Sequence, residues 1–218
     1  MFPLLQLPSA KSVIRSFQTL LLASFILLGS GCAIMSNKFT LKTELPANYT
    51  VSVTAQYSEL FAGVCFLPDD YKGDPEPDKK RFSSAFHATP FTSEFEVPVG
   101  YTLEDCFMAL SGIEFMIEGT DKANDNYFDI STVELDVETY LKEDEELSTR
   151  IDEQLLQVRC HWEALKPGSP AKRELQCHGL DANGKERESR RLGMLKNRQL
   201  QGLTLRLKVE EDETSRKP

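Results

Sequence analysis

The sequence predicts an all-β protein, an antiparallel β-sandwich, and three observations carry that expectation. Apolar and polar residues alternate through most of the chain, turn-forming residues recur at short intervals, and one stretch alone, 142–154, has the composition of a short helix. A period of two sends successive side chains to opposite faces of a strand, so each run has one face for a core and one for water. About nine such runs with scant helix are best buried as two sheets packed face to face.

The runs can be taken in order. "KFTLKTEL" (38–45) puts Phe39, Leu41, Thr43 and Leu45 on one face, and "YTVSVTAQY" (49–57) does the same with Val51, Val53 and Ala55. "LFAGVCFL" (60–67) is continuously apolar and reads as a more buried strand. "PDDYKGDPEPDKKR" (68–81) holds three prolines among many charges and reads as a loop. "SAFHATPF" (84–91), "EFEVPVG" (94–100) and "CFMALSGIEFMIEG" (106–119) follow, the last alternating through Ile113, Phe115 and Ile117. After a loop at "DKANDN" (121–126), "YFDISTVELDVETYL" (127–141) sets Val133, Leu135 and Val137 against Glu134, Asp136 and Glu138. "KEDEELSTRIDEQ" (142–154) is a short helix or a loop. "LLQVRCHWEAL" (155–165) and "AKRELQCHGL" (171–180) flank a turn, "DANG" (181–184) is a second tight turn, and "LTLRLKVE" (203–210) is a final strand. Residues 211–218 read as a solvated tail, and the sandwich, 38–210, could divide into halves at 38–119 and 127–210.

The first 31 residues read as an export signal. Lys11 and Arg15 precede an apolar run from Leu20 to Leu28, no acidic residue occurs, and Gly29, Ser30 and Gly31 lead to Cys32. The run is well short of the ~20 residues a membrane-spanning helix needs. Small residues before a cysteine suit a peptidase that cuts there and leaves Cys32 for acylation, and the stretch resembles a bacterial lipobox, with Gly29 where leucine is commonest. An ordinary signal peptide cut nearby is the alternative. Residues 32–37 would form a lipidated tether. Ala33 follows the cysteine where aspartate would favour the inner membrane, so the outer membrane is expected, with the domain facing the periplasm.

Loss of Lys11 and Arg15 takes the net charge from −9 to −11. That sign disfavours nucleic acid and anionic headgroups as primary ligands. Charge is also uneven: 129–153 carries ten acids and two bases, and 172–208 ten bases and four acids. The two segments either neutralise one another as solvated faces or leave the acidic one as a docking surface.

Beyond Cys32 there remain Cys65, Cys106, Cys160 and Cys177, an even number suited to two disulfides in an oxidising compartment. Cys160 and Cys177 lie symmetrically about Gly168 and Ser169 in "KPGSP" (166–170), so a hairpin there sets them opposite each other. Cys65 and Cys106 are then left for the second bond. The neighbouring His161 and His178 suggest a zinc site, but in strands both imidazoles would face away from both thiols. Trp162 could pack on the disulfide.

Catalytic signatures are not apparent. There are three histidines, no Gly-x-Ser-x-Gly elbow and no Ser-x-x-Lys. "GLDANGKE" (179–186) has the spacing of a phosphate loop but ends in Glu186 where a magnesium-binding hydroxyl is needed. "DKANDNYFD" (121–129) lacks the glycine and bidentate glutamate of a calcium loop. The expectation is a non-enzyme without metal or cofactor.

"YSELFAGVCFLP", a charged proline-rich loop, and "FHATPFTSEFEVPVGYTLEDCFMALSGIEFMIEG" together resemble a group of small proteobacterial lipoproteins. Several of these are similar to immunity proteins for type VI secretion lipase effectors, over residues 57–119 of this chain. The resemblance implies a lipoprotein that binds and blocks a secreted lipase or phospholipase. Alternatives are a structural or assembly lipoprotein of the envelope and a small-ligand-binding sandwich. Expected contacts are Asp69, Asp70 and Tyr71 in the loop Asp69–Lys80, and the acidic run Glu143, Asp144, Glu145 and Glu146.

Overall fold

Strict alternation becomes two sheets packed on a shared core. The computed structural model describes residues 37–60, 77–103, 106–121, 127–139, 152–165 and 173–212. Its strands are β1 (Lys38–Leu45), β2 (Tyr49–Glu59), β3 (Asp78–Ser83), β4 (Phe91–Pro98), β5 (Gly100–Leu103), β6 (Cys106–Asp121), β7 (Tyr127–Glu138), β8 (Glu153–Ala164), β9 (Arg173–Gly179), β10 (Arg191–Lys196) and β11 (Thr204–Glu211), with a 3-10 turn at Asn197–Gln199. The first sheet runs β4-β1-β11-β8-β9 and the second β10-β7-β6-β2-β3, with β5 hydrogen-bonded to β6. Both sheets draw strands from both halves of the chain, so 38–119 and 127–210 are not separate bodies; residues 36–218 form one unit.

The core falls where alternation placed it. Phe39, Leu41, Thr43, Leu45, Val51, Val53, Ala55, Ile113, Phe115, Ile117, Val133, Leu135 and Val137 are all buried. Their strand neighbours Lys42, Glu114 and Asp136 are half-buried and Glu134 is exposed, as a sheet with one wet face requires.

Three pairings are parallel: β1 with β11, β11 with β8, and β7 with β10. The sandwich is thus mixed rather than purely antiparallel. The cause is topological, because β8, β11 and, in the second sheet, β10 are reached only after the chain has crossed to the other sheet and returned, and a crossover can restore strand direction where a hairpin reverses it.

Several boundaries differ from those expected. Asp78–Ser83 is a strand, although 78–81 was read as loop, and 84–90 connects strands where 84–91 suggested one. The inward positions of β3 are Asp78, Lys80 and Phe82, so the alternation is hidden by an aspartate and a lysine that point inward. β10 was not anticipated; its glycine, Gly193, takes φ 140° at a bulge against β7 and interrupts the pattern. Glu153 and Gln154 open β8 rather than closing a helix, and Glu211 ends β11 rather than opening a tail. The apolar run 61–67 and residues 140–151 lie outside the described residues.

The Asp181–Gly184 turn forms as expected. Asp181 Oδ1 accepts the amides of Asn183 (2.8 Å) and Lys185 (2.9 Å), and Gly184 takes φ 76°.

Candidate functional site

The two long sides of the sandwich are built differently, and the difference locates the site. At one side β9 is the edge of the first sheet, and β7 of the second sheet reaches across to it. The Leu175 amide donates to Asp129 Oδ2 (2.9 Å) and the Cys177 amide to Ser131 Oγ (3.0 Å). Arg173 donates to the Trp162 carbonyl (3.0 Å) and approaches the buried Asp121 carboxylate at 3.7 Å. Side chains thereby take over a role that a neighbouring strand would otherwise fill.

The opposite side is framed by β3, edge of the second sheet, and β4, edge of the first. The inward residues of these strands are half-buried, except Val97, which is fully buried. Phe82, Phe91, Phe95 and Tyr101 pack against the core without being covered by it. Phe82 and Phe95 bridge the two sheets with ring centroids 5.9 Å apart, and His87 lies on Phe91 at 4.1 Å. Below them Tyr57 and Tyr101 meet edge to face at 4.9 Å.

A charge is set into this aromatic layer. The Lys80 ammonium lies 3.4 Å from the centre of the Tyr101 ring and 5.6 Å from that of Tyr57. A cation over an aromatic face is stabilised by the ring quadrupole, by about 0.5–2 kcal/mol depending on desolvation. The Tyr101 hydroxyl donates to the Asp78 carboxylate, and the buried Tyr57 hydroxyl donates to the Pro98 carbonyl (2.9 Å). Burial, and then the negative charge of Asp78, push the Tyr57 phenol well above its ordinary value, so it remains a hydrogen-bond donor at neutral pH. Aromatic faces and a cation thus meet on a half-open flank.

The structure places some of the expected residues and brings a few of them here. Asp78 and Lys80, at the end of the loop Asp69–Lys80, lie in this layer. Asp69, Asp70, Tyr71, the run Glu143, Asp144, Glu145 and Glu146, and Cys32 lie outside the described residues. Cys160 and Cys177 are joined as expected, directly opposite in the β8–β9 register with Cα atoms 4.1 Å apart. Their separation of 17 residues corresponds to about 3 kcal/mol of restriction on the unfolded chain. Trp162 lies on the same face, in the cluster that holds both sulfurs. Both cysteines are buried, while His161 and His178 stack on the opposite face with centroids 5.8 Å apart, as strand geometry required. Cys106 opens β6 and is buried; Cys65 is outside the described residues.

The acidic and basic segments meet in part. β7 and β10 are neighbours, with Arg191 3.2 Å from Asp136, and Arg206 bridges Glu44 and Glu153 (2.7 Å to the latter). Two of the acids of 129–153 that the structure describes, Asp136 and Glu153, are therefore matched by bases of 172–208 within the fold.

Sequence reading missed Tyr57, Phe82, Phe91, Phe95 and Tyr101 as a group. A signal was present: Phe82, Phe86, Phe91 and Phe95 fall within 14 residues directly after Lys79-Lys80-Arg81. Aromatics that dense beside a basic run mark a surface that is both apolar and cationic.

Comparison of the chain with known protein families, with characterised proteins and with solved structures gave no match.

Proposed function

We propose that this is a non-catalytic, periplasm-facing lipoprotein, anchored through acyl chains on Cys32, that binds a protein partner. The observation that carries the reading is the half-covered aromatic layer between β3 and β4 with Lys80 set into it. Apolar rings left partly open on a rigid scaffold, with a cation held at their centre, have the composition of an interaction hot spot. The resemblance over residues 57–119 spans every residue of that layer, and it suggests the partner: a secreted lipase or phospholipase that the protein neutralises. On this reading Cys65 pairs with Cys106, joining the segment that precedes β3 to the start of β6.

Blocking an enzyme needs only a surface that covers its cleft, so no chemistry of the protein's own is required. The test pairs the full chain with secreted lipases of the type VI effector class, produced in the periplasm of a susceptible host. Co-expression should restore growth, and Lys80→Glu together with Phe95→Ala should lower affinity by about 100-fold, since hot-spot truncations each cost about 1–2 kcal/mol or more. Lack of binding by the unmodified chain would remove the immunity reading. Unchanged affinity of the doubly substituted, folded chain would remove this face from the interface.

A further inference from the structure

The edge of β3 differs from those of β9 and β4 in its charge. β9 has its outward amides taken by Asp129 and Ser131. β4 carries Glu94 and Glu96, each matched from β1, by Lys42 and Lys38 at 3.0 Å. β3 pairs with β2, and the described residues give it no strand on its other side. It presents Lys79, Lys80 and Arg81 in succession, in a chain whose net charge is −9. Among the described residues no carboxylate lies within ion-pair distance of Lys80 or Arg81.

Basic residues on an edge, and a charge pointing inward from it, keep neutral and basic strands from adding there. The same charges favour an acidic one, because specificity can rest on what an interface repels. Strand periodicity then fixes what the added segment must look like. Positions opposite Lys79 and Arg81 lie on the outer face, and positions opposite Lys80 and Phe82 turn inward toward Phe95, Phe91 and Tyr101.

We infer that β3 receives an extended acidic segment of a partner protein, added as a further strand to the second sheet. Carboxylates on its outer face meet Arg81. Apolar side chains on its inner face cover the aromatic layer, and an inward carbonyl or carboxylate meets Lys80. Main-chain hydrogen bonds along the edge supply affinity, and the alternating side chains supply selection. The inference rests on the partner-binding reading above and specifies how the partner is recognised.

The probes are four synthetic ten-residue peptides: glutamate alternating with phenylalanine and valine, the same with lysine for glutamate, and two forms of the acidic peptide N-methylated at one or the other set of alternate amides. Fluorescence anisotropy with the full chain lacking its signal should show the acidic peptide binding at least ~10-fold more tightly than the basic one at low salt, with the gap narrowing as salt rises. Methylation of the set of amides that faces β3 should cost ~10-fold or more. Arg81→Glu, at an exposed position that folding does not depend on, should shrink the gap, and Lys80→Glu with Arg81→Glu should reverse it. Equal affinity for the two charges, or indifference to N-methylation in either alternate register, would overturn strand addition. The outcomes separate from those of the functional reading: a lipase that binds but is not displaced by the acidic peptide sinks this inference alone. A peptide that binds as described to a chain without affinity for the lipase sinks the immunity reading alone.

Discussion

The edges of β9 and β3 solve the same problem in opposite ways. Both strands end a sheet, and among the described residues neither has a strand beyond it to pair its outer row of main-chain groups. At β9 two polar side chains from β7 fill that row from inside the fold, and the aromatic and sulfur residues beneath, Trp162, Cys160 and Cys177, are buried. At β3 the fold offers lysines and an arginine instead, and the rings beneath, Phe82, Phe95 and Tyr101, are only partly buried. An edge sealed by hydrogen bonds serves stability, whereas an edge lined with charge disfavours neutral and basic strands and, on the reading proposed above, admits an acidic one.

The comparison can be broken first at β9. Ser131→Ala leaves the Cys177 amide, in the buried wall beside the disulfide, without its acceptor. An unsatisfied buried donor costs about 1–3 kcal/mol, so urea unfolding should show a loss of that size, with the slope unchanged. Alanine in place of Arg81 on the β3 edge should change stability by less than ~0.5 kcal/mol, as exposed substitutions do. Equal losses at the two edges would erase the distinction.

A smaller effect sharpens the reading of the β3 side. The unfolded phenol loses its proton near pH ~10. Folded Tyr57 keeps its proton to higher pH, because burial and Asp78 oppose the phenolate. The raised folded value means this contribution is intact below pH ~10 and is lost as pH climbs above it, since the unfolded state then releases the proton and the folded state does not. Tyr57→Phe should cost about 1 kcal/mol at neutral pH, through the Pro98 carbonyl it leaves unpaired, and should flatten the alkaline fall in stability. An alkaline limb identical in the two proteins would show that Tyr57 is not the group responsible.

What was legible in the sequence follows from the same contrast. Alternation marked β1, β2, β6, β7 and β11 because each pairs aliphatic residues with polar ones, so the buried face announces itself. The β8–β9 pairing was legible for a second reason: Cys160 and Cys177 lie symmetrically about a run of turn-forming residue types in the sequence, and the observed register sets them opposite each other. β3 escaped because its inward face is Asp78, Lys80 and Phe82, a pattern that reads as polar until the aromatic partners of Lys80 are known. Those partners come from β2 and β5, distant in sequence, and no local window joins Tyr57 and Tyr101 to Lys80. The parallel pairings were illegible for a related reason, since they depend on where the chain goes between strands rather than on the strands themselves. The sealing of β9 by Asp129 and Ser131 likewise unites residues 46 apart.

Amide hydrogen exchange reads both edges in a single experiment. In the free protein, Leu175 and Cys177 should exchange slowly despite lying on an edge strand, because Asp129 and Ser131 hold their amides, while the β3 amides that do not face β2 should exchange quickly. Adding the alternating acidic peptide should slow those β3 amides and leave β9 unchanged. Fast exchange at Leu175 and Cys177, or β3 amides indifferent to a saturating acidic peptide, would contradict the account of one sealed and one receptive edge.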